Sequence, residues 1–249
     1  MMQITSVEEV PAIERPESIR LAETESARMG AALRRLDDDA WSAPTDCTLW
    51  DVRDMAGHVL GMVETFSSLG NFARDMRAGG KAAGDGPFID GLTAVQVRDR
   101  ADLTRDELIE RLESGGPKQA AWRGNRRLMR RIPMKQDLSD GSVETWRAGY
   151  LFDIILTRDT WMHRVDIARA TGTSMELTPD HDGRIVADVV AEWARRHGKP
   201  FTLHLTGPAG GAWASGTGGE DIELDAIEFC RILADRAEGP GLLTQSVPF

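Results

Sequence analysis

Two polar side chains on one predicted helix, Asp159 and His163, have the types and spacing to perform chemistry. Residues 154–172 show helical periodicity, and side chains four positions apart lie on the same face of an α-helix. A carboxylate and an imidazole placed in this way can bind one metal ion or pair with each other. Apolar residues line the opposite flank, so the pair lies beside a packed surface, where burying polar groups without partners is unfavourable.

His58 is a third candidate, because it lies on the edge of the apolar stripe of an earlier predicted helix. Facing helices of a bundle can bring ligands to one core site, and two imidazoles with one carboxylate leave a coordination position open, as in catalytic zinc sites. Iron(II) accepts the same ligands. The alternative is an ordinary ion pair between Asp159 and His163, with His58 bonded to a backbone carbonyl.

Asp166 continues the same polar stripe, three residues after His163. The interpretation we favour is a cap or an ion pair with Arg164 or Arg169. Its alternative is a contact with a ligand imidazole, whose proton the carboxylate would accept and whose tautomer it would fix.

Helices must position these side chains, and apolar spacing predicts several of them. Thr104 and Glu107 form a capping-box pattern at the start of one, and Gly172 is expected to end the helix that carries His163. The predicted helices cover residues 16–36, 48–77, 93–100, 105–113, 118–131 and 154–172.

Two segments between these helices are expected to be loops. Residues 79–91 are rich in glycine, and the polar segment after Pro133 contains Asp137, Asp140 and Gly141. Both compositions are typical of turns.

The pattern changes after Met175. A helix is predicted first, then alternating residues that indicate strands, and then a final helix. These elements cover residues 180–197 (helix), 201–206, 212–214 and 222–224 (strands) and 225–236 (helix). We therefore predict a mainly α part, residues 1–175, and a small α+β C-terminal part, residues 176–249.

Composition limits the classes of function. The 249 residues include 30 Lys and Arg against 40 Asp and Glu, a net charge of −10 that argues against general affinity for nucleic acid or anionic membranes. The two cysteines, Cys47 and Cys230, lie far apart and outside any CxxC, which is typical of a reducing compartment. No signal peptide or membrane-span pattern is present. We expect a cytoplasmic protein without a nucleic-acid or membrane partner.

Two further features have ordinary interpretations. Cys47 is expected to be a small buried residue and not a nucleophile, because no histidine lies near it in the sequence. A basic run near the middle of the chain is expected to be a solvated face, with an anion-binding or nucleic-acid-binding patch as the alternative. It comprises Arg123, Arg126, Arg127, Arg130 and Arg131.

Three stretches resemble signatures of the mycothiol-dependent maleylpyruvate isomerase family, within the DinB-like superfamily. Residues 45–60, TDCTLWDVRDMAGHVL, look like the signature of the family's second helix. Residues 159–172, DTWMHRVDIARATG, resemble its second signature, an acidic residue followed by His, Asp and Ala-x-x-x-Gly. Residues 225–236, DAIEFCRILADR, are similar to the last helix of the family's C-terminal domain.

The resemblance implies a DinB-like four-helix bundle followed by a small α+β C-terminal domain. It implies a divalent metal, with zinc favoured, bound by His58, Asp159 and His163. It also implies mycothiol as cosubstrate, acting either to isomerise an unsaturated acid such as maleylpyruvate or to be transferred to an electrophile. Arg236 would bind the substrate carboxylate, a role that suits a guanidinium. The alternative for Arg236 is a solvated arginine at a helix C-terminus.

Two positions depart from the family pattern. Asp159 stands where glutamate is usual, and Asp235 stands where glycine usually precedes the residue equivalent to Arg236. The second hypothesis is therefore a non-catalytic DinB-like protein that binds a small molecule or a partner and has a weakened metal site. A nucleic-acid-binding regulator that uses the basic run is the third.

Overall fold

A computed structural model of the chain describes residues 3–138 and 141–249. Asp140, which the sequence predicts in a loop, lies outside these ranges. The elements in chain order are β1 (Thr5–Ser6), α1 (Arg15–Arg34), α2 (Val52–Thr65), α3 (Leu69–Ala83), α4 (Phe88–Arg98), α5 (Arg105–Gly124), β2 (Pro133–Asp137), β3 (Val143–Arg147), α6 (Ala148–Tyr150), α7 (Leu156–Thr171), α8 (Arg184–His197), β4 (Phe201–Thr206), β5 (Gly211–Ser215), β6 (Glu220–Asp225) and α9 (Ala226–Leu233). The prediction of a mainly helical chain with a small α+β C-terminal part is confirmed.

The chain forms two compact units. Glu14–Met175 form the helical unit, and Glu176–Phe249 form the α+β unit together with the N-terminal segment that ends at Ile13. The sequence analysis placed that segment with the helices, because a two-residue strand carries too little periodicity to reveal its partner. In the structure β1 pairs in parallel with β5.

Four helices make up the bundle of the helical unit. α1 packs against α5 and α7, and α2 packs against the same two helices, while α3 and α4 form a helical hairpin that contacts α2 mainly through α4. The apolar faces of the bundle helices form a core cluster, which includes Met29, Leu33, Met55, Val59, Leu60, Leu108, Leu112 and Ile167.

The single helix predicted over residues 48–77 is wrong, because the structure has two helices there. α2 begins after Asp51, whose side chain accepts a hydrogen bond from the Asp54 amide and thereby caps the helix. α3 begins after Ser68, which accepts from the Asn71 amide in the same way. Ser68 is therefore an N-cap inside a stretch whose apolar spacing continues across the break.

The loop predicted over residues 79–91 is also wrong. α3 extends to Ala83 and α4 begins at Phe88, so only four residues connect them. A Cβ atom added at Gly91 would lie 2.3 Å from the Gly79 carbonyl oxygen and 2.3 Å from the Ala83 nitrogen. The glycines therefore allow two helices to approach closely.

The capping box at Thr104 and Glu107 is confirmed, but α5 continues through Pro117 to Gly124 where two shorter helices were predicted. Glycines again explain the difference, because α5 lies close to its neighbours. A Cβ at Gly115 would meet Val63 at 2.7 Å, and one at Gly116 would meet Ser26 at 2.0 Å. Packing against these neighbours thus keeps α5 continuous through Pro117, although proline disfavours the interior of a helix.

The polar loop predicted after Pro133 is instead an antiparallel hairpin, in which β2 pairs with β3 from Pro133–Arg147 to Asp137–Val143. Its strands lack an alternation of apolar and polar residues, which is the pattern that predicts a strand. α7 follows a π-helical segment, Leu151–Ile155, and ends as predicted at Gly172, whose φ of +64° is left-handed.

The α+β unit contains a four-stranded sheet in the order β1-β5-β4-β6. β4 pairs antiparallel with β5 and parallel with β6. α8 and α9 belong to the same unit, and the Asp225 side chain caps α9 by accepting from the amides of Ile227 and Glu228. Across the described residues, no helix is both long and apolar enough to cross a membrane.

Candidate metal centre

The structure brings the three predicted ligands together in the helical unit. His58 projects from α2, and Asp159 and His163 project from α7. The Nε2 atom of His58 lies 3.7 Å from Asp159 Oδ2, and that of His163 lies 3.3 Å from Asp159 Oδ1. Ligand-type atoms of the three residues all lie within 4.8 Å of one another. The short carboxylate arm of Asp159 therefore reaches both imidazoles.

The second ring nitrogen of each imidazole, Nδ1, lies within hydrogen-bond distance of a side-chain oxygen. His163 Nδ1 lies 3.1 Å from Asp166 Oδ2, and His58 Nδ1 lies 2.9 Å from Gln96 Oε1. A proton on each Nδ1 satisfies these oxygens and leaves each Nε2 directed towards Asp159. Asp166 is fully buried, and its contact with the His163 imidazole is the one that the sequence analysis gave as the alternative. The His58 partner is a side-chain oxygen, not a backbone carbonyl.

The electrostatics of the cluster favour a charged carboxylate. Burial raises the pKa of Asp159, but the charge of His163 and the contacts of both imidazoles outweigh it and hold this pKa well below its ordinary value. Burial also lowers the pKa of His163, but Asp159 and Asp166 outweigh that effect and raise the pKa well above its usual value. In the metal-free protein a proton on His163 therefore balances the carboxylate charge.

The donor set fits a divalent cation. Asp159 Oδ2 is buried and accepts no hydrogen bond from the part of the chain that the structure describes, which is unusual for a charged oxygen. A tetrahedral Zn²⁺ with bonds of about 2.0–2.1 Å keeps its ligand atoms about 3.3 Å apart. The separations of 3.3 and 3.7 Å between imidazole and carboxylate atoms are close to this value.

Trp50 covers one side of the cluster, a role that the sequence analysis did not predict. Its ring stacks on His58 with centroids 4.8 Å apart and lies 6.0 Å from the His163 ring. The preceding turn holds Trp50 in place, because its carbonyl accepts from the Thr45 hydroxyl at 2.8 Å and its amide donates to the Cys47 carbonyl. The stacked indole restricts rotation of the His58 ring.

The structure places His163 beside Cys47, although no histidine lies near Cys47 in the sequence. The Cys47 thiol lies 3.9 Å from Asp166 Oδ2, and ligand-type atoms of Cys47, His163 and Asp166 lie within 4.8 Å of one another. The side chain is only partly buried. The thiol is therefore a neighbour of the cluster, on the side of the Nδ1 atom of His163.

Arg236 lies in the α+β unit, after the end of α9, where its guanidinium donates to the Ala234 carbonyl at 2.9 Å. Asp235, which stands where the family has glycine, has a left-handed φ of +57°. Glycine adopts that conformation without strain, in agreement with the glycine that the resemblance places at this position.

The basic run is not a uniformly solvated face, contrary to the prediction. Arg123 is buried, donates to the Thr157 hydroxyl at 3.3 Å, and has its pKa lowered to about 10 by that burial. Arg130 forms a bidentate ion pair with Asp153. The pattern of basic residues did not reveal these acceptors, because they lie on other elements.

Fold and site together define a class of protein: a helical bundle joined in sequence to a small α+β unit, with a His-Asp-His cluster supplied by two of the bundle helices. The chain belongs to the mycothiol maleylpyruvate isomerase family, because the family model for the N-terminal domain matches residues 22–168. This range includes all three residues of the cluster.

Two solved structures share the fold over nearly the whole chain. They are crystal structures of a mycothiol-dependent maleylpyruvate isomerase and of its variant in which one histidine is replaced by alanine. Their TM-scores are 0.55 and 0.54, the identity is 16%, and each match covers 94% of this chain and 93% of the other. At this identity the likeness establishes the fold. No curated protein sequence gives a significant match.

Proposed function

We propose that the protein is a metal-dependent enzyme that uses a low-molecular-weight thiol, in the manner of a maleylpyruvate isomerase or a thiol S-transferase. The proposed metal ligands are His58 Nε2, His163 Nε2 and a carboxylate oxygen of Asp159. One observation carries the proposal: two oriented imidazole nitrogens face the two oxygens of one carboxylate, and one of these oxygens is buried without a hydrogen-bond donor among the described residues. Family membership makes mycothiol the proposed cosubstrate. The donor set of two imidazoles and one carboxylate makes zinc the proposed metal.

The metal, when bound, would supply a low pKa to a coordinated thiol, so that the nucleophile is a thiolate near neutral pH. Protein side chains orient the proposed metal ligands and supply negative charge. Asp166 and Gln96 fix the two imidazoles as Nε2 donors, and Asp159 contributes one negative charge that offsets part of a divalent charge. Three protein donors leave a position open for the thiol.

The reaction of an unsaturated acid follows from thiol chemistry. Addition of the thiolate to a cis carbon–carbon double bond forms a C–S bond and moves the π electrons onto the substrate. The former double bond can then rotate. Elimination breaks the C–S bond and restores the double bond in the trans form and the free thiolate, so no oxidant is required. With a saturated electrophile, the thiolate displaces the leaving group and the adduct is the product.

Arg236 is the proposed binding residue for the substrate carboxylate. A guanidinium matches a carboxylate with two parallel hydrogen bonds, which lysine cannot reproduce. Arg236→Lys should therefore raise KM for an unsaturated acid and leave KM for an uncharged electrophile unchanged. An equal rise for both substrates would contradict this role.

The direct test combines metal analysis with turnover. Protein purified without chelator should contain one equivalent of zinc, and His58→Ala protein should contain much less. The zinc protein should isomerise maleylpyruvate or form a mycothiol adduct with an electrophile, detected by mass spectrometry. Equal zinc content in the two proteins would overturn the proposed site.

The alternative is a non-catalytic protein of the same family, and the observation that favours it is Asp159 in place of the usual glutamate. Zinc binding without turnover of any thiol and electrophile pair would support this alternative. Asp159→Glu separates the two cases, because restoring the longer arm should then create activity that the natural chain lacks.

A further inference from the structure

A chain of buried hydrogen bonds connects His58 to a carboxylate on α3. His58 Nδ1 lies 2.9 Å from Gln96 Oε1, and Gln96 Nε2 donates to the Thr65 hydroxyl at 3.3 Å. The Thr65 hydroxyl donates to Asp75 Oδ2 at 2.7 Å. Arg74 donates to both carboxylate oxygens of Asp75. His58, Gln96, Thr65 and Asp75 are all at most 4% exposed.

The chain has only one self-consistent direction. Asp75, ion-paired with Arg74, is a carboxylate that only accepts hydrogen bonds, so the single proton of the Thr65 hydroxyl points to it. The Thr65 oxygen must then accept from the Gln96 amide nitrogen. The Gln96 carbonyl oxygen consequently faces His58, and Nδ1 must be the nitrogen that carries the proton.

We infer that Gln96, Thr65 and Asp75 form a relay that fixes the tautomer of His58. They are positioning residues: they hold the Nε2 lone pair towards Asp159 without contacting the ligand position themselves. This inference rests on the proposed role of His58 as a metal ligand. A carboxylate on α3 thereby contributes to metal affinity, although the sequence separates it from every proposed ligand.

The packing of α2 accommodates this relay at Gly61. A Cβ atom at Gly61 would lie 2.5 Å from the Gln96 Cβ, so any larger residue there would displace the Gln96 side chain. Gly61 lies three residues after His58 on the same helix. Close approach of α4 to α2 at this glycine brings the amide within reach of the imidazole.

The first test removes the acceptor. Gln96→Met should weaken zinc binding about 10- to 100-fold, the range measured when partners of metal-bound histidines are lost. Gln119→Met is the matched control, because Gln119 is also buried and donates to the Met62 backbone carbonyl at 3.3 Å without contacting His58. Competition with a chromophoric chelator gives both dissociation constants. Gln96→Glu should bind zinc more tightly than Gln96→Met, because it keeps an oxygen for the Nδ1 proton, but it should not restore the full affinity, because a carboxylate cannot donate to Thr65.

The second test reads the tautomer without any metal. Long-range ¹H–¹⁵N spectra of the zinc-free protein should show His58 protonated at Nδ1 in the natural chain and a mixture of tautomers in Gln96→Met. Asp75→Asn should produce the same mixture, because an amide can donate to Thr65 and permit the chain to reverse. A natural chain that binds no zinc would refute the proposed function. Zinc affinity and His58 spectra that are the same in Gln96→Met and Gln119→Met would overturn the relay alone.

A separate observation concerns an apolar cavity of about 370 Å³ in the helical unit. This volume is within the range of small-molecule sites, whereas protein interiors are normally close-packed. Its walls are mostly aromatic rings and flexible thioethers, including Phe66, Phe72, Phe152, Met62, Met76 and Met129. Its polar lining comes from one strand, β2, through Lys135, Gln136 and Asp137.

We propose that this cavity binds an uncharged apolar small molecule, because methionine and phenylalanine walls adapt to such a ligand and offer no buried charge to pair with an ionic one. A neutral fluorescent probe, N-phenyl-1-naphthylamine, should bind saturably at one site per chain. The measurement uses zinc-free protein, so it is independent of the metal centre.

Ala148 lines the cavity and is partly exposed, so Ala148→Phe should fill it and weaken probe binding at least about tenfold. Ala94→Phe is the control, because Ala94 is exposed on α4 and does not line the cavity. Thermal unfolding of both variants confirms that they fold. Absence of saturable binding to the natural chain, or equal binding to the two folded variants, would overturn the proposal.

Discussion

Two neighbouring residues of α7, His163 and Arg164, belong to two different clusters of buried charged side chains. The guanidinium of Arg164 donates to the two carboxylate oxygens of Glu25 at 2.6 and 2.9 Å, with side chains only 2% and 1% exposed. One residue earlier, His163 joins a cluster in which a carboxylate oxygen of Asp159 has no hydrogen-bond donor among the described residues. Successive helix residues point about 100° apart, which separates the two environments.

The comparison indicates which buried charges pair with each other and which are available to a ligand. The pair of Arg164 and Glu25 is joined by short bidentate bonds, which connect α1 to α7. The cluster of His58, Asp159 and His163 has longer separations and an unsatisfied oxygen, which a cation would satisfy. We therefore propose that the first serves stability and the second serves ligand binding, and the predictions below test that division.

The largest expected effect is on stability. Glu25→Gln removes the carboxylate that accepts two hydrogen bonds from the buried Arg164 guanidinium, which should lower the free energy of unfolding by about 3–5 kcal/mol in urea denaturation. Glu113→Gln is the control, because its ion pair with Arg34 is exposed and should contribute at most about 1 kcal/mol. Equal losses would remove the distinction between a buried and a surface pair.

The next effect is on metal binding. His163→Ala should weaken zinc binding at least about 100-fold, about 2.7 kcal/mol, because it removes one of three proposed donors. Glu25→Gln, if it remains folded at low temperature, should keep zinc affinity nearly unchanged. Titration with zinc in a competition assay measures both. A larger loss of affinity in Glu25→Gln would contradict the division between the two clusters.

Zinc binding should also depend on pH. Zinc must displace the Nε2 proton of His163, whose pKa is raised in the metal-free protein. Below that raised pKa the affinity should therefore fall about tenfold per pH unit, and above it the dependence on this proton should vanish. Affinities measured from about pH 6 to about pH 8 test the sign. An affinity that rises as pH falls would contradict the assignment of His163 as a ligand.

The Nε2 proton of His163 also affects the stability of the zinc-free protein, which should decrease as pH rises, whereas zinc affinity should increase. In zinc-free protein, the contribution of His163 is fully present below the unfolded-state pKa and is lost as pH rises through the raised folded-state pKa. Zinc-free protein should therefore lose stability at alkaline pH, and His163→Ala should not show this loss. Thermal unfolding at several pH values, compared for the two proteins, measures the difference.

The smallest expected effect concerns Trp50. Trp50→Leu removes the ring stacked on His58 and should weaken zinc binding only about fivefold, since such contacts contribute about 0.5–1.5 kcal/mol. Trp50→Phe keeps a stacking ring and should restore most of the affinity. A loss as large as that of His163→Ala would mean that Trp50 determines the position of the whole loop.

The proximity of the three proposed ligands could be predicted from the sequence. His163 and Asp159 share a helix face by spacing alone, and the position of His58 beside an apolar stripe directed it towards the bundle interior. Gln96 could not be predicted, because its contact with His58 depends on how closely α4 approaches α2 at Gly61. Their role as metal ligands stays a proposal.

The sequence predicted the elements whose boundaries depend on their own residues. It did not predict the boundaries and contacts that depend on packing against a neighbouring element. The glycines at 79 and 91 and the proline at 117 were interpreted as local breaks, but they lie in helices that pack closely. Arg123 was interpreted as a solvated residue, but the Thr157 hydroxyl on α7 gives it a buried partner. The hairpin of β2 and β3 is stabilised by pairing between polar strands, which apolar periodicity does not detect.

The π-helical turn before α7 determines how this helix could tolerate a change in length. It accommodates one residue more than a regular turn, and Asp153 within it accepts bonds from Ser18 and Arg130. Because the turn takes up the extra residue locally, deleting one residue there other than Asp153 would restore a continuous α-helix with the same register on either side. The deletion would shift Asp153 relative to Ser18 and Arg130, while the face that presents Asp159 and His163 would keep its direction. A one-residue deletion in this turn should therefore weaken the contacts of Asp153 and preserve the cluster of His58, Asp159 and His163.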